Sequence, residues 1–398
     1  MGMNKELKKL SIKQKLALNY VSKESKLTRI DEKIYTNTFT PYFPSLAYNR
    51  FLKGVISMAS AKPLPVVTNF AITPQCPCSC WHCSFSDRSK KDILSLDQLK
   101  TAIAKVQELG TSVIGITGGE PLLRDDLEEI IASIDDRSMP IFFTTGYKLT
   151  KDRVKSLKEA GLEIPVISLD HYSADIHDQG RRKKGIYDYA LNAIKLFQEA
   201  GFYVAVSFVP DKPLVSDRDE IFKVIDFFKS IGINDMRLTS PILSGKLVAK
   251  PEERLSNENK ATILEIQKKC TKTKGYPGVF AYDFFESEKY YGCGAGFNYM
   301  FIDSQGNVCP CDFTMLSFGN ILERSIQDIW VEMSKHFCTP GPVCYANISN
   351  DLIISKKKAE WPLKKKAVIE VLNECPSYSP ERLPEFYRKM GFPVSKNK

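Results

Sequence analysis

The sequence predicts an α/β protein. Its larger part is six strand–helix units, arranged as an open, partial barrel or a doubly wound sheet, and a smaller cysteine-rich α+β region follows. Three observations lead there. Short apolar, β-rich runs alternate with helix-period segments from about residue 65. Several of those segments end at a glycine, as a left-handed helix cap requires. The rhythm breaks near residue 275, and six of the eleven cysteines lie beyond the break. Alternating helices and continuously apolar strands imply a parallel sheet covered by helices. In such sheets the chemistry gathers at the C-terminal ends of the strands.

The elements follow in order. Residues 1–62 read as a basic helical extension with little β character. Within it Tyr48, Phe51, Leu52, Val55, Ile56 and Ala59 recur at three-and-four spacing, which predicts an amphipathic helix. Its apolar face has two readings: docked on the next domain, or resting on a membrane as a peripheral contact through residues 40–60. Residues 63–275 carry the apolar runs 65–72, 112–117, 140–145, 165–170, 203–209 and 235–240. Helical patterns fall near 95–109, 125–137, 151–160, 186–200, 217–231 and 256–270, and Gly110, Gly161, Gly201 and Gly232 close four of them. Residues 276–350 change character: YMFIDSQGNVCPC (299–311) reads as a hairpin turning at residues 304–307, with a helix near 324–336. Residues 351–398 are Lys-rich with scattered prolines and read as a tail that wraps or trails.

Composition narrows the class. Of 398 residues, 43% are hydrophobic and 26% charged, which suits a folded chain and not a disordered one. The first twenty residues lack the apolar core and cleavage site of a secretory signal, and no run of about 18 apolar residues occurs. Met1-Gly2 is followed by Glu6 where a myristoylation signal needs Ser or Thr. The expectation is a cytoplasmic protein, membrane-associated only under the second reading of the helix. In a reducing compartment, clustered thiols are metal ligands or catalysts more often than disulfides. The net charge of +9 lies largely in the two ends, which reads as solvated surface and predicts no nucleic-acid partner.

The stretch Cys76-Pro77-Cys78-Ser79-Cys80-Trp81-His82-Cys83 holds four cysteines just past the first strand. Cys76, Cys80 and Cys83 are spaced C-x3-C-x2-C. Three thiolates on one tight loop suit three irons of a cubane and leave the fourth iron open to another ligand. Zinc is the competing reading. Zinc sites favour two C-x2-C pairs, however, and Cys80-x2-Cys83 has no second pair before Cys270. Cys270 ends a helical pattern and reads as a structural thiol.

This triplet resembles the signature of the radical S-adenosylmethionine (radical SAM) superfamily. The resemblance covers residues 65–240 and implies a radical-SAM-type partial (β/α)6 barrel. It implies that Cys76, Cys80 and Cys83 hold a 4Fe–4S cluster. His82 takes the family's aromatic position, and Cys78 is a bystander, too close to Cys80 to join in the family's way. Gly118-Gly119-Glu120-Pro121 directly follows the second strand and matches the segment that receives the SAM amino group. Glycines allow close backbone approach, and a carboxylate suits an ammonium. By the same resemblance Thr144, closing the third strand, faces the cofactor. Ser168 contacts the SAM ribose or carboxylate with Asp170 assisting, and Val209 lies against the adenine. The segment His177–Gly185 resembles the family's HD-x2-R-x3-G stretch, which places Arg181 on the SAM carboxylate as a bidentate fork, with Arg182 competing for the place and a solvated basic loop as the alternative. The implied reaction is reductive cleavage of SAM to methionine and a 5′-deoxyadenosyl radical that takes a hydrogen atom from substrate. A flavodoxin- or ferredoxin-type protein supplies the electron.

Beyond residue 275, Cys293, the hairpin elements Asp303, Gly306, Val308, Pro310 and Cys311, the segment Gly319-Asn320-Ile321, and Cys338 and Cys344 resemble in order the family's SPASM/twitch extension. The full form wants C-x2-C-x5-C, and only Cys338-x5-Cys344 is present. The resemblance therefore implies one auxiliary 4Fe–4S cluster held by Cys293, Cys311, Cys338 and Cys344, with Cys309 and Cys375 as rivals. The expected function is a radical SAM enzyme acting on a peptide or small metabolite. The alternatives are an enzyme working at a membrane on a lipid or prenyl substrate, and a non-catalytic metal-binding scaffold. Tyr147, His171, Arg237 and Thr239 lie near strand ends as candidates to face the substrate.

Overall fold

The computed structural model describes residues 11–12, 15, 24–59, 61–86, 94–356, 361–375 and 382–393. Met1-Gly2 and most of the basic N-terminal stretch lie outside them. The extension opens with a hairpin that the sequence reading did not anticipate: β1 (Thr28–Ile30) pairs with β2 (Lys33–Tyr35). Three-residue strands are too short to show a period, which is why the pattern was silent. Tyr35 stacks on Tyr203, and Lys33 pairs with Glu163 at 2.7 Å, so the hairpin caps the N-terminal end of the sheet. The expected amphipathic helix is present as Leu46–Ala59. Its Leu52, Val55 and Met58 are buried, and the last two pack with Val66, Phe297, Leu383, Phe386, Tyr387 and Met390. The apolar face is thus covered by the C-terminal segment. No helix among the described residues is long and apolar enough to cross a membrane.

The barrel strands are β3 (Val67–Ala71), β4 (Val113–Thr117), β5 (Met139–Thr144), β6 (Ile164–Ser168), β7 (Ala205–Phe208) and β8 (Asp235–Leu238). They pair in parallel in that order, as the six apolar runs predict. The helices between them bury one face each: Leu99, Ile103 and Val106 from Leu96–Leu109, and Ile221, Val224, Ile225 and Phe228 from Arg218–Ser230. A buried aliphatic or aromatic side chain contributes about 1.5–3 kcal/mol, so this shared core dominates the fold.

The sheet does not stop at six strands. β9 (Gly278–Ala281) adds in parallel beyond β8. On the other edge β10 (Tyr299–Ile302) lies parallel to β3 and antiparallel to β11 (Asn307–Cys309), the expected hairpin. A separate pair joins β12 (Leu316–Ser317) to β14 (Leu363–Lys364), and β13 (Gly319–Asn320) pairs with β11. The cysteine-rich region is therefore stitched to the edge strand that carries the first cysteine cluster. That junction brings the two groups of thiols toward one space.

Candidate active site

The loop that leaves β3 carries Cys76, Cys80 and Cys83, and three other elements clamp it. The turn after β4 is the first: Gly119 N donates to the Thr73 carbonyl at 2.7 Å and Glu120 N to that of Gln75 at 2.6 Å. A Cβ on Gly119 would overlap the Gln75 carbonyl, and Gly118 takes φ +140° against Thr73. Both glycines are thus required by the approach of two loops. The second clamp is the helix Ala174–Arg181: Ser79 N and Trp81 N donate to its Arg181 and Gly180 carbonyls at 3.0 and 3.1 Å. The third follows β8, where Lys246 Nζ donates to the Ser79 carbonyl at 2.6 Å and Lys246 N to that of Cys83 at 3.0 Å.

The clamped loop forms one wall of a cavity of about 590 Å³. Cys76, Cys80, Cys83 and His82 line it, with Gly118, Gly119, Thr144, Ser168, Arg181 and Val209 around them. These residues come from the C-terminal ends of five different strands. Cys78 lies between its neighbours: its thiol donates toward Cys76 and Cys80 and holds both below the ordinary thiol value. Burial instead pushes Cys83 up to about 11. Arg181 is buried, donates Nε to Asp170 at 2.6 Å, and reaches the Cys80 sulfur with Nη1 at 3.6 Å. Its nearest partner is the Asp170 carboxylate, and the Cys80 sulfur is its second. Burial opposes the charge of Asp170, but Arg181, His82 and His177 overcome it and hold the carboxyl below its usual value. Asp170 also accepts from Val209 N at 3.1 Å, tying β6 to β7.

Glu120 is wholly buried and accepts from Leu122 N, Thr144 Oγ1 and both donors of Thr145. Burial raises its carboxyl above the ordinary value despite those bonds. The carboxylate thereby fixes the loops after β4 and β5, and the backbone of Gly118 and Gly119 is what reaches the cavity. The donor set fits an iron–sulfur cube and its organic co-ligand. Four thiols of one loop, Cys78 among them, line a single cavity, and the buried His82 Nε2 has no hydrogen-bond partner among the described residues. The cavity floor is polar where the strands predicted apolar cores: Asn69 on β3, Ser207 on β7 and Arg237 on β8 line it, with Thr239 just beyond. A polar residue interrupting an apolar strand run was the signal for these positions. Lys246 left no such trace. Tyr147 packs on Tyr189 and His171 beside Tyr172, and neither lines the cavity.

A second group of thiols assembles behind this floor. Cys293 exchanges backbone hydrogen bonds with Gly341, which draws the loop before Cys344 against it. The Cys344 thiol donates to Cys293 and holds it at about 7. Cys311 faces both, with its thiol pushed up by burial and 3.1 Å from Thr314 Oγ1. The carboxyl of Glu286 faces Cys293 and Cys344, and burial drives it well above its usual value. Cys338 is exposed. Cys309 is buried between Ala71 and Phe301, and Cys375 lies beside Tyr345. Asp312 and Phe313, adjacent to Cys311, line the first cavity.

Comparison with known proteins agrees with this geometry. A family model described as the radical SAM superfamily matches residues 70–228, and one described as an iron–sulfur cluster-binding SPASM domain matches residues 293–349. An AdoMet-dependent heme synthase of Methanosarcina barkeri is 26% identical over 309 residues, 69% of this chain and 84% of that protein. An Fe-coproporphyrin III synthase of the same organism is 28% identical over 335 residues, 76% of this chain and 83% of that protein. Among solved structures, Streptococcus suis SuiB bound to S-adenosylmethionine superposes with a TM-score of 0.59 at 17% identity, covering 77% of each chain.

Proposed function

Taking as premise that this chain is a radical SAM enzyme with a C-terminal SPASM iron–sulfur domain, we propose that it oxidises a small tetrapyrrole-like metabolite on the barrel floor. One observation carries the reading. A single cavity has Cys76, Cys80 and Cys83 on one wall and Asp312 and Phe313, beside Cys311, on another. A substrate on its floor lies between the two thiol groups. The tetrapyrrole class rests on the relatives named as heme and Fe-coproporphyrin III synthases.

When bound, the 4Fe–4S cluster and SAM supply a 5′-deoxyadenosyl radical, methionine being released and one electron coming from a flavodoxin- or ferredoxin-type donor. The chain's own residues do the rest. Cys76, Cys80 and Cys83 hold the cluster and leave one iron for SAM. The Gly118–Gly119 backbone, Ser168 and Val209 border the SAM position, and Glu120, Thr144 and Asp170 hold those borders in place. Arg181 places a positive charge on the Cys80 sulfur, and such a hydrogen bond to a ligand sulfur raises the potential of a cluster. Cys293, Cys311 and Cys344 would hold an auxiliary cluster, which when bound would supply an electron acceptor. Enclosure excludes water and stray hydrogen donors. The lipid-substrate alternative finds no support in the helix Leu46–Ala59, whose apolar face is already covered.

The test is anaerobic. Protein reconstituted with iron and sulfide is given SAM and dithionite, and 5′-deoxyadenosine is quantified beside a Cys80→Ala variant. Wild type forms it and the variant does not. Iron-loaded wild type that forms none returns the chain to the scaffold reading.

A further inference from the structure

Arg237 is the unusual residue of the cavity floor. It sits on β8 and lines the cavity that holds the first thiol group. Its guanidinium is enclosed by aromatic rings, with centroids at 5.5 Å (Phe39), 5.0 Å (Phe143) and 4.8 Å (Tyr282). Nε donates to the Tyr282 hydroxyl at 2.8 Å. Among the described residues no carboxylate forms an ion pair with it, and its two Nη groups make no hydrogen bond. Two acids lie within electrostatic reach, Asp312 and Glu286; Asp312 Oδ2 accepts from Tyr299 Oη at 2.7 Å and Asn69 Nδ2 at 3.3 Å, and among the described residues neither acid hydrogen-bonds to Arg237.

Ring faces and one hydroxyl satisfy this half-buried cation only in part, and its open edges can still take hydrogen-bond acceptors. Proteins keep such a group where a ligand completes it. A guanidinium with both Nη edges free matches a carboxylate in two parallel hydrogen bonds. Thr239 supports the same occupant. It follows Arg237 by two residues, so the strand alternation turns it to the same face. Its hydroxyl is buried, lines the cavity and has no hydrogen-bond partner. Asp312 nearby favours a singly charged carboxylate over a doubly charged phosphate.

We propose that Arg237, with Thr239, is the anchor for a carboxylate of the substrate. The anchor fixes which carbon faces the SAM side of the cavity. This deepens the tetrapyrrole reading and rests on it, because such molecules carry several carboxylate arms.

The experiment uses the reconstituted full chain under anaerobic conditions. Binding of Fe-coproporphyrin III and of its tetramethyl ester is titrated by absorbance on wild type, Arg237→Gln, Arg237→Lys and Thr239→Val. Iron per chain and melting temperature are measured on each protein, so that a folding defect is read separately. The free acid binds wild type at least ten-fold tighter than the ester does. Arg237→Gln loses that preference, Arg237→Lys keeps part of it, and Thr239→Val weakens the acid several-fold. If acid and ester bind alike, or Arg237→Gln binds the acid as wild type does, the anchor is refuted while the tetrapyrrole reading stands. If neither acid nor ester binds iron-loaded wild type, both fall.

Discussion

At the scale of single residues, the pair Gly118-Gly119 shows how one motif answers two demands. The sequence reading assigned the glycines to close approach by a ligand. The structure adds that they also admit the cysteine loop itself, whose Thr73 and Gln75 carbonyls accept from Gly119 N and Glu120 N. Gly119→Ala would drive a methyl group into the Gln75 carbonyl and push the loop outward. The backbone cannot yield as a flexible side chain would, so the expected outcome is loss of the first cluster with the second retained. Iron analysis checks it: about eight irons per chain fall to about four, the content of one remaining 4Fe–4S cube. Glu120 differs in kind. Its carboxylate is consumed by internal donors, so its duty is to hold two strand ends in register with each other.

At the scale of elements, the site depends on how loops of different strands meet. The loop after β8 reaches across to the loop after β3 through Lys246, and the helix Ala174–Arg181 offers its last carbonyls to the same loop. The hairpin of β10 and β11 does the corresponding work for the second thiol group. By extending the sheet beside β3, it carries Cys311 behind the cavity. Of the four cysteines expected to hold the auxiliary cluster, Cys293, Cys311 and Cys344 lie within electrostatic reach of one another, and Cys338 is exposed. A direct comparison follows from that placement. Cys344→Ala removes the auxiliary cluster, whereas Cys338→Ala leaves most of it. Iron content and electron paramagnetic resonance of the reduced protein read both variants, with the three loop cysteines mutated to silence the first cluster.

At the scale of the whole molecule, the two ends of the chain lock onto each other across the barrel. The helix Leu46–Ala59 and the helix Glu385–Met390 share a core with Val66 and Phe297. Phe386 is 1% exposed within it. Removing a buried phenyl ring costs about 3–5 kcal/mol through lost transfer energy and the cavity left behind. Phe386→Ala should therefore lower the denaturation midpoint markedly and speed proteolysis within residues 46–59. A midpoint unchanged within error would show that the two ends are not coupled in this way.

The sequence by itself determined the six parallel strands, the helix caps, the C-x3-C-x2-C loop at a strand end, and the hairpin of the cysteine-rich region. Each is written in local spacing, where a period of two or 3.6 residues or a glycine in a turn is decided by near neighbours. Tertiary structure alone decided which thiols of the second set converge, that Arg181 turns to the Cys80 sulfur, that the amphipathic helix is covered by the far end of the chain, and that Arg237 stands unpaired on the floor. These depend on register and packing between segments tens to hundreds of residues apart. A residue's partners across a sheet are set by how every intervening element fills the core, and local pattern does not encode that sum.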